Sequence, residues 1–391
     1  MIPRYLAHDI KNMAQQYPVL AILGPRQSGK TTLAKLTFPN HKYLTLENPD
    51  IRRFATEDPN GFFKLHQSEN SHGMILDEFQ HVPSILSYIQ TIVDENRRPG
   101  YFVLTGSQNF LVNQSITQTL AGRISLHTLL PLSCGELSDA AMLPDNIYSV
   151  MLKGSYPAAY NPNTDSERWY LNYLQTYVER DIRDIKQVTD LTLFQNFVQL
   201  CAGRIGQLLN LSSLANDCGI AVNTAKAWIS LLEASYIVFT LYPHYKNFSK
   251  RLVKHPKLYF YDTGLACSLL KITSEQLPMH YLRGGLFESF VISELCKAFY
   301  NQGQRPPLYF WRDRSGAEID CLIEQGTNLT PIEIKSSMTI GSDFFDGLSY
   351  WNNLAQQSPT KSYVIYAGDE AQERNKGNVI SWKNIHKIMA H

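Results

Sequence analysis

Between residues 17 and 130, short apolar runs alternate with segments of helical periodicity. The runs fall at 18–23, 43–46, 74–76, 101–105 and 126–130. This alternation predicts βαβ units and a parallel sheet. Residues 165–240 read as mostly helical. Residues 284–391 read as a helix, three strands, a second helix and a fourth strand, with the strands at 307–311, 317–324, 330–336 and 362–367. A loop-rich stretch at 131–160 suggests a boundary. The expected organisation is α/β in three parts: 1–160, 161–262 and 263–391.

Composition narrows the class. The chain has 391 residues, enough for two or three domains. Apolar residues make up 44% and charged residues 18%. Globular chains average about 25% charged, so disorder is excluded. A net charge of +1 excludes a uniformly basic nucleic-acid coat. A local basic patch is the remaining route to nucleic acid. No apolar run is long enough for a membrane span, and no h-region follows the charged start, so no membrane partner is expected. The six cysteines form no CxxC pair, which speaks against zinc and against a disulfide framework. The expectation is a soluble, reduced, cytoplasmic protein.

One motif carries specific chemistry. Gly24-Pro25-Arg26-Gln27-Ser28-Gly29-Lys30-Thr31 matches G-x-x-x-x-G-K-[ST], lies directly after an apolar run and opens an amphipathic segment at Thr32. Backbone N–H groups and the helix N-terminus attract phosphate. Lys30 would reach the β and γ phosphates of ATP or ADP, and Thr31 would ligate Mg²⁺. Asp77 and Glu78 end the run at 74–76, where ligands bind in parallel sheets. Asp77 would hold Mg²⁺ and Glu78 would polarise the attacking water. Ser107 and Gln108 end the next strand and are candidates to position that water; a plain Gly-Ser turn accounts for them equally. Arg123 is a candidate finger toward a neighbouring copy of the chain; a surface ion pair explains it as well.

The order GPRQSGKT, ILDEFQ, LTGSQ, AGR resembles prokaryotic AAA+-like P-loop ATPases. Over nearly the full length the chain is similar to the bacterial and archaeal group in which an AAA domain precedes a C-terminal region of unknown function. MIPRYL, DEFQHVP, YVERDI, YDTGL and the FE…EID…EIK series carry that likeness. The wider AAA+ group commonly has Asn at the sensor position, where Ser107 or Gln108 stands here.

Three further features bear on partners. In the helical segment at 177–185 the charges alternate in sign, as on a solvated face, with Arg180 or Asp181 as candidate subunit or nucleotide contacts. From residue 211 the pattern is helix-turn-helix, with Ser212 or Ser213 and then Asn223 or Thr224 as caps. A wing-like stretch follows at 237–242, and the resemblance also implies a winged helix here. Asn223, Thr224 and Lys226 are its candidate DNA-reading residues; simple domain packing is the alternative. Residues 244–257 then hold Lys246, Lys250, Arg251, Lys254 and Lys257 without an acid, interleaved with Tyr245 and Phe248. That run is either a phosphate-binding patch or a solvated basic loop. Residues 241–320 carry 11 Lys/Arg against 7 Asp/Glu, so the basic excess is local.

The C-terminal carboxylates complete the inventory. Glu288 lies on the apolar stripe of a helix, four residues before Ile292, where a carboxylate needs a partner. Strand alternation puts Asp320 with Glu318, and Glu333 with Lys335. Glu288, Asp320, Glu333 and Lys335 can therefore converge, with the carboxylates holding metal. This resembles the PD-(D/E)XK nuclease fold. The leading expectation is ATP hydrolysis coupled to DNA binding or cleavage, with DNA and further copies of the chain as candidate partners. A nucleotide switch or assembly scaffold that cuts nothing is the alternative, and a small-substrate kinase ranks below both.

Overall fold

In the computed structural model, the described residues are 2–67, 72–107, 119–177, 188, 190–244 and 254–390. They form two compact units. The first comprises Met1–Leu132, Ala234–Tyr236 and Phe299–Gln304; the second comprises Ser133–Glu233, Ile237–Ala298 and Arg305–His391. The expected boundaries after 160 and 262 fall inside the second unit. Overall the chain is α/β.

The first unit is a parallel sheet of β1 (Val19–Leu23), β2 (Lys42–Thr45), β3 (Met74–Asp77), β4 (Phe102–Gly106) and β5 (Ile124–Thr128), in the order β2-β3-β4-β1-β5. Its register pairs Asp77 with Thr105 and Ile22 with Thr105. Strand side chains alternate between faces. Val19, Ala21 and Leu23 therefore join one core with Phe62, Ile85 and Ile89. Leu20 and Ile22 join another with Leu6, Ile10 and Leu33. With both faces covered, β1 can be apolar at every position, and all five of its residues are buried. Four runs matched strands to within one residue at each end. The last lay two residues late: β5 is an alternating edge strand, Ile-Ser-Leu-His-Thr, and the apolar pair Leu129-Leu130 follows it.

The second unit contains helices, a hairpin and a mixed sheet. Helices Leu211–Cys218 and Val222–Ala234 flank Gly219, whose φ of 70° makes the turn. Two expected caps are corrected. Asn210 caps the first helix by accepting from Ser213 N, because the helix begins before Ser212. Asn223 and Thr224 lie inside the second helix, which starts at Val222. Asn223 and Lys226 are exposed and Thr224 is half-buried. The hairpin pairs β6 (Val238–Leu241) with β7 (Lys257–Phe260).

The six-stranded sheet runs β12-β13-β11-β10-β9-β8. Its strands are β8 (Leu308–Arg312), β9 (Glu318–Gln325), β10 (Asn328–Lys335), β11 (Tyr363–Tyr366), β12 (Gln372–Arg374) and β13 (Gly377–Ser381). The pairing is mixed: β9 is antiparallel and β11 parallel to β10. The helix Asp346–Ala355 covers one face with Leu348 and Trp351, against Trp311, Ile319, Leu322 and Val364. Trp351 meets Trp311 edge-on, with ring centroids 5.1 Å apart.

Trp351 is fully buried in that core. Trp351→Ala is expected to lower unfolding free energy by about 3–5 kcal/mol. Urea denaturation of the full chain checks this; a loss below about 1 kcal/mol would contradict the packing role.

Candidate functional site

The first site lies where β1, β3 and β4 end. The loop after β1 enters the helix Lys30–Thr37 through Gly29, whose φ is 96°. No side chain caps this helix, so its first N–H groups face the loop rather than a cap. Such an N-terminus suits an anion. Gly24 has a φ of 152°, and a Cβ there would stand 2.2 Å from Leu129 O. Only glycine lets the loop pass so close to the chain after β5. Gln27 adopts a left-handed conformation, and Ser28 N closes the turn onto Pro25 O. Pro25 and Ser28 are buried, Arg26 is half-buried, and Thr32 is exposed on the helix.

Lys30 is buried, with Nζ donating to Gly24 O at 3.2 Å and Pro25 O at 2.8 Å. Thr31 Oγ1 donates to Asp77 Oδ1 at 2.8 Å. Thr105 Oγ1 donates to the same oxygen, while Tyr43 OH donates to Asp77 Oδ2 at 2.7 Å. Burial raises the Tyr43 phenol above its usual range, and Asp77 raises it further. Thr31 and Asp77 thus form an adjacent pair of hard oxygen donors, the chemistry Mg²⁺ selects. Sequence reasoning found Thr31 and Asp77. It missed Tyr43 and Thr105, which only the parallel register brings alongside.

Glu78 follows Asp77 in a left-handed conformation, with φ 54°. Gln80 Nε2 donates to Glu78 Oε2 and, at 3.1 Å, to Ser107 Oγ. Gln80 therefore links the ends of β3 and β4. It lies over Gly106, where an added Cβ would meet Gln80 Oε1 at 2.3 Å. Gln80 was also missed; its signal was the polar residue within DEFQ. Gln108 is outside the described residues. Arg4 holds the loop from behind, donating to Ser28 O at 2.7 Å and Leu130 O at 2.6 Å.

Arg123 is not brought to this site. It precedes β5, at the end of the sheet opposite the loop, and its guanidinium forks onto Asp94 at 2.6 and 2.9 Å. Within this chain it is the surface ion pair.

A second cluster lies in the other unit. Glu288, Glu318 and Asp320 present carboxylate oxygens within 4.8 Å of one another. Glu288 comes from the helix Arg283–Tyr300; Glu318 and Asp320 share a face of β9. Lys257, the first residue of β7, is 4% exposed. Its Nζ donates to Glu288 Oε1 at 2.8 Å and also pairs with Glu318. Tyr259 OH donates to the same Glu288 oxygen at 2.5 Å. Asp320 Oδ2 accepts from Ile334 N at 2.8 Å.

The expected metal set was Glu288, Asp320 and Glu333. The three acids brought together have Glu318 in place of Glu333. Glu333 is buried on β10 beside Gly347, and its Oε1 accepts from Lys335 at 2.8 Å. Its Oε2 is buried without a hydrogen-bond partner among the described residues. Burial raises the carboxyls of Glu288, Asp320 and Glu333; Lys257 pulls the first two down, and Lys335 pulls on Asp320 and Glu333. Burial alone would lower the Lys257 and Lys335 ammonium groups, but the surrounding carboxylates outweigh it and raise both. Lys257 therefore does not belong to a solvated basic run. Of that run, Tyr245, Lys246, Phe248, Lys250 and Arg251 are outside the described residues, as are Arg180 and Asp181.

Among the described residues no helix is long and apolar enough to cross a membrane.

Residues 16–138 match the family model described as an AAA domain. Residues 144–276 and 283–385 match two models described as domains of unknown function, DUF8612 and DUF4143. The chain is 30% identical over 342 residues to the uncharacterized protein Rv2008c of Mycobacterium tuberculosis, covering 86% of this chain and 74% of that one. It matches Mb2031c of Mycobacterium bovis to the same extent. Similarity to MJ1637 of Methanocaldococcus jannaschii is 24% over 318 residues, covering 68% and 64%. Among solved structures, the Walker-type ATPase PABY2304 of Pyrococcus abyssi superposes with a TM-score of 0.45 at 14% identity, covering 68% of this chain and 94% of that one. With an AAA domain at its start and this identity across most of the mycobacterial proteins, the chain belongs to their family of AAA-domain P-loop ATPases.

Proposed function

We propose that the protein binds and hydrolyses ATP with Mg²⁺, and that this cycle is coupled to DNA binding or cleavage through a nuclease-like C-terminal region. The observation that carries the first half is the Thr31–Asp77 hydrogen bond at the mouth of an uncapped helix N-terminus. It aligns the two metal-binding side chains before any ligand arrives, so little reorganisation is needed. Mg²⁺ bound there would neutralise charge on the β and γ phosphates. The loop N–H groups hold the phosphates, and Lys30 moves from carbonyl oxygens to phosphate oxygens. Glu78 orients water, with Gln80 fixing its carboxylate against Ser107. Arg123 would act only toward another copy of the chain.

For the second half, support comes from the α/β arrangement around Glu288, Asp320, Glu333 and Lys335, and from the exposed Asn223 and Lys226 on a helix-turn-helix pattern. A winged helix at 211–242 and three functional parts, 1–160, 161–262 and 263–391, fit this reading. One observation favours the second reading, in which the C-terminal region binds a partner without cutting. Its carboxylates are already paired to lysines, Lys257 on Glu288 and Glu318, and Lys335 on Glu333.

Two substitutions test the ATP site. Lys30→Ala is expected to abolish phosphate release and weaken binding of a fluorescent ATP analogue; unchanged turnover would refute the assignment. Glu78→Gln should bind the analogue normally yet hydrolyse ATP about 10²–10⁴ times more slowly, as loss of a positioned base does. A proportional loss of binding and turnover would instead make Glu78 a binding residue.

A further inference from the structure

The position of Lys257 asks for an explanation beyond ion pairing. A divalent ion bonded to carboxylate oxygens at 2.0–2.6 Å draws opposing oxygens to about 4–5 Å apart. The oxygens of Glu288, Glu318 and Asp320 lie within 4.8 Å of one another. Such a group of like charges is unfavourable without a cation. The cation present is Lys257 Nζ, which bonds Glu288 and Glu318 and lies 5.6 Å from the centroid of the Phe310 ring. Nearby on β10, Glu333 keeps Oε2 buried without a partner among the described residues.

Lys257 does not belong to the nuclease-like part. It sits on β7, within residues 144–276, while the three carboxylates come from residues 283–385. An ammonium group from one region thus fills a carboxylate cluster built by the next.

We infer that Lys257 is a tethered cation occupying the position a divalent ion would take among Glu288, Glu318 and Asp320. The cluster is a latent metal site, closed by β7. Metal enters only when the lysine side chain withdraws, and the region carrying β7 therefore controls whether the cluster can do metal chemistry. This rests on the nuclease-like reading only in treating the three carboxylates as able to take a divalent ion.

Mn²⁺ binding to the full chain, followed by electron paramagnetic resonance without nucleotide, tests it. Wild type and Asp320→Asn are expected to bind Mn²⁺ alike, because the lysine excludes it from Asp320. Lys257→Ala should bind Mn²⁺ at least about tenfold more tightly, since one positive charge is removed within a few ångströms. Adding Asp320→Asn should erase that gain, and Lys257→Arg should behave as wild type. If Lys257→Ala does not fold, the pair Lys257→Gln with Glu288→Gln removes one charge of each sign. It leaves Glu318 and Asp320 as ligands, so Mn²⁺ binding should tighten by a smaller factor that still depends on Asp320. Tight, Asp320-dependent Mn²⁺ binding by wild type overturns the proposal, as does a folded Lys257 variant that gains no Mn²⁺ affinity. The nuclease-like reading fails separately, if a Lys257 variant binds Mn²⁺ yet nicks neither DNA nor RNA. Retained ATP hydrolysis in each variant keeps both outcomes apart from the nucleotide site.

Discussion

Asp77 is the joint on which the nucleotide-binding end of the first unit depends. Its two oxygens accept from three hydroxyls: Thr31 on the helix after β1, Thr105 on β4 and Tyr43 on β2. A buried carboxylate is costly unless its lone pairs are met. Here the partners come from three separate segments that approach one another only in a parallel sheet of this order. The same bonds that satisfy Asp77 also fix the Thr31 hydroxyl beside it. Folding and preparation of the phosphate site are therefore one arrangement of hydrogen bonds. Arg4 and Gly24 extend the constraint, one clasping loop carbonyls and the other admitting the backbone after β5.

The second unit meets the same physical difficulty with charge. Glu288, Glu318 and Asp320 are supported by Lys257, and Glu333 by Lys335. Hydroxyls around Asp77 leave a carboxylate free to exchange partners at modest cost. The buried Lys257 ammonium in its close ion pairs does not, because separating it leaves unpaired charges. The carboxylate cluster is thus held until something moves β7 or the side chain it carries.

How much of this was legible depended on burial. The inner parallel strands β1, β3 and β4 read clearly because both faces are covered, leaving continuous apolar runs. The edge strand β5 read two residues late, since its alternation was weaker than the Leu129-Leu130 pair beyond it. β12 and β13 were missed altogether: Gln372–Arg374 is short, polar and largely exposed, with no periodicity to detect. The phosphate loop was legible because its chemistry is contiguous in the chain. Tyr43 and Thr105 were not, because each is an ordinary polar residue until strand register sets it against Asp77, and Gln80 was not, because its role depends on Ser107 at the end of another strand.

Lys257 shows where linear reading of charge reaches its limit. In the sequence it ends an acid-free basic run, and net charge over a window assigns it to that run. Its side chain is governed by a different pattern, the start of the strand Lys-Leu-Tyr-Phe, all four of whose residues are buried. A lysine at the first position of a buried strand must find carboxylates or destabilise the strand. The three that answer it come from a helix and a strand more than 30 residues further on. A near-neutral chain can therefore conceal two unlike charge regimes, one facing water and one closed inside the fold. Only the closed one bears on the metal site proposed for the C-terminal region.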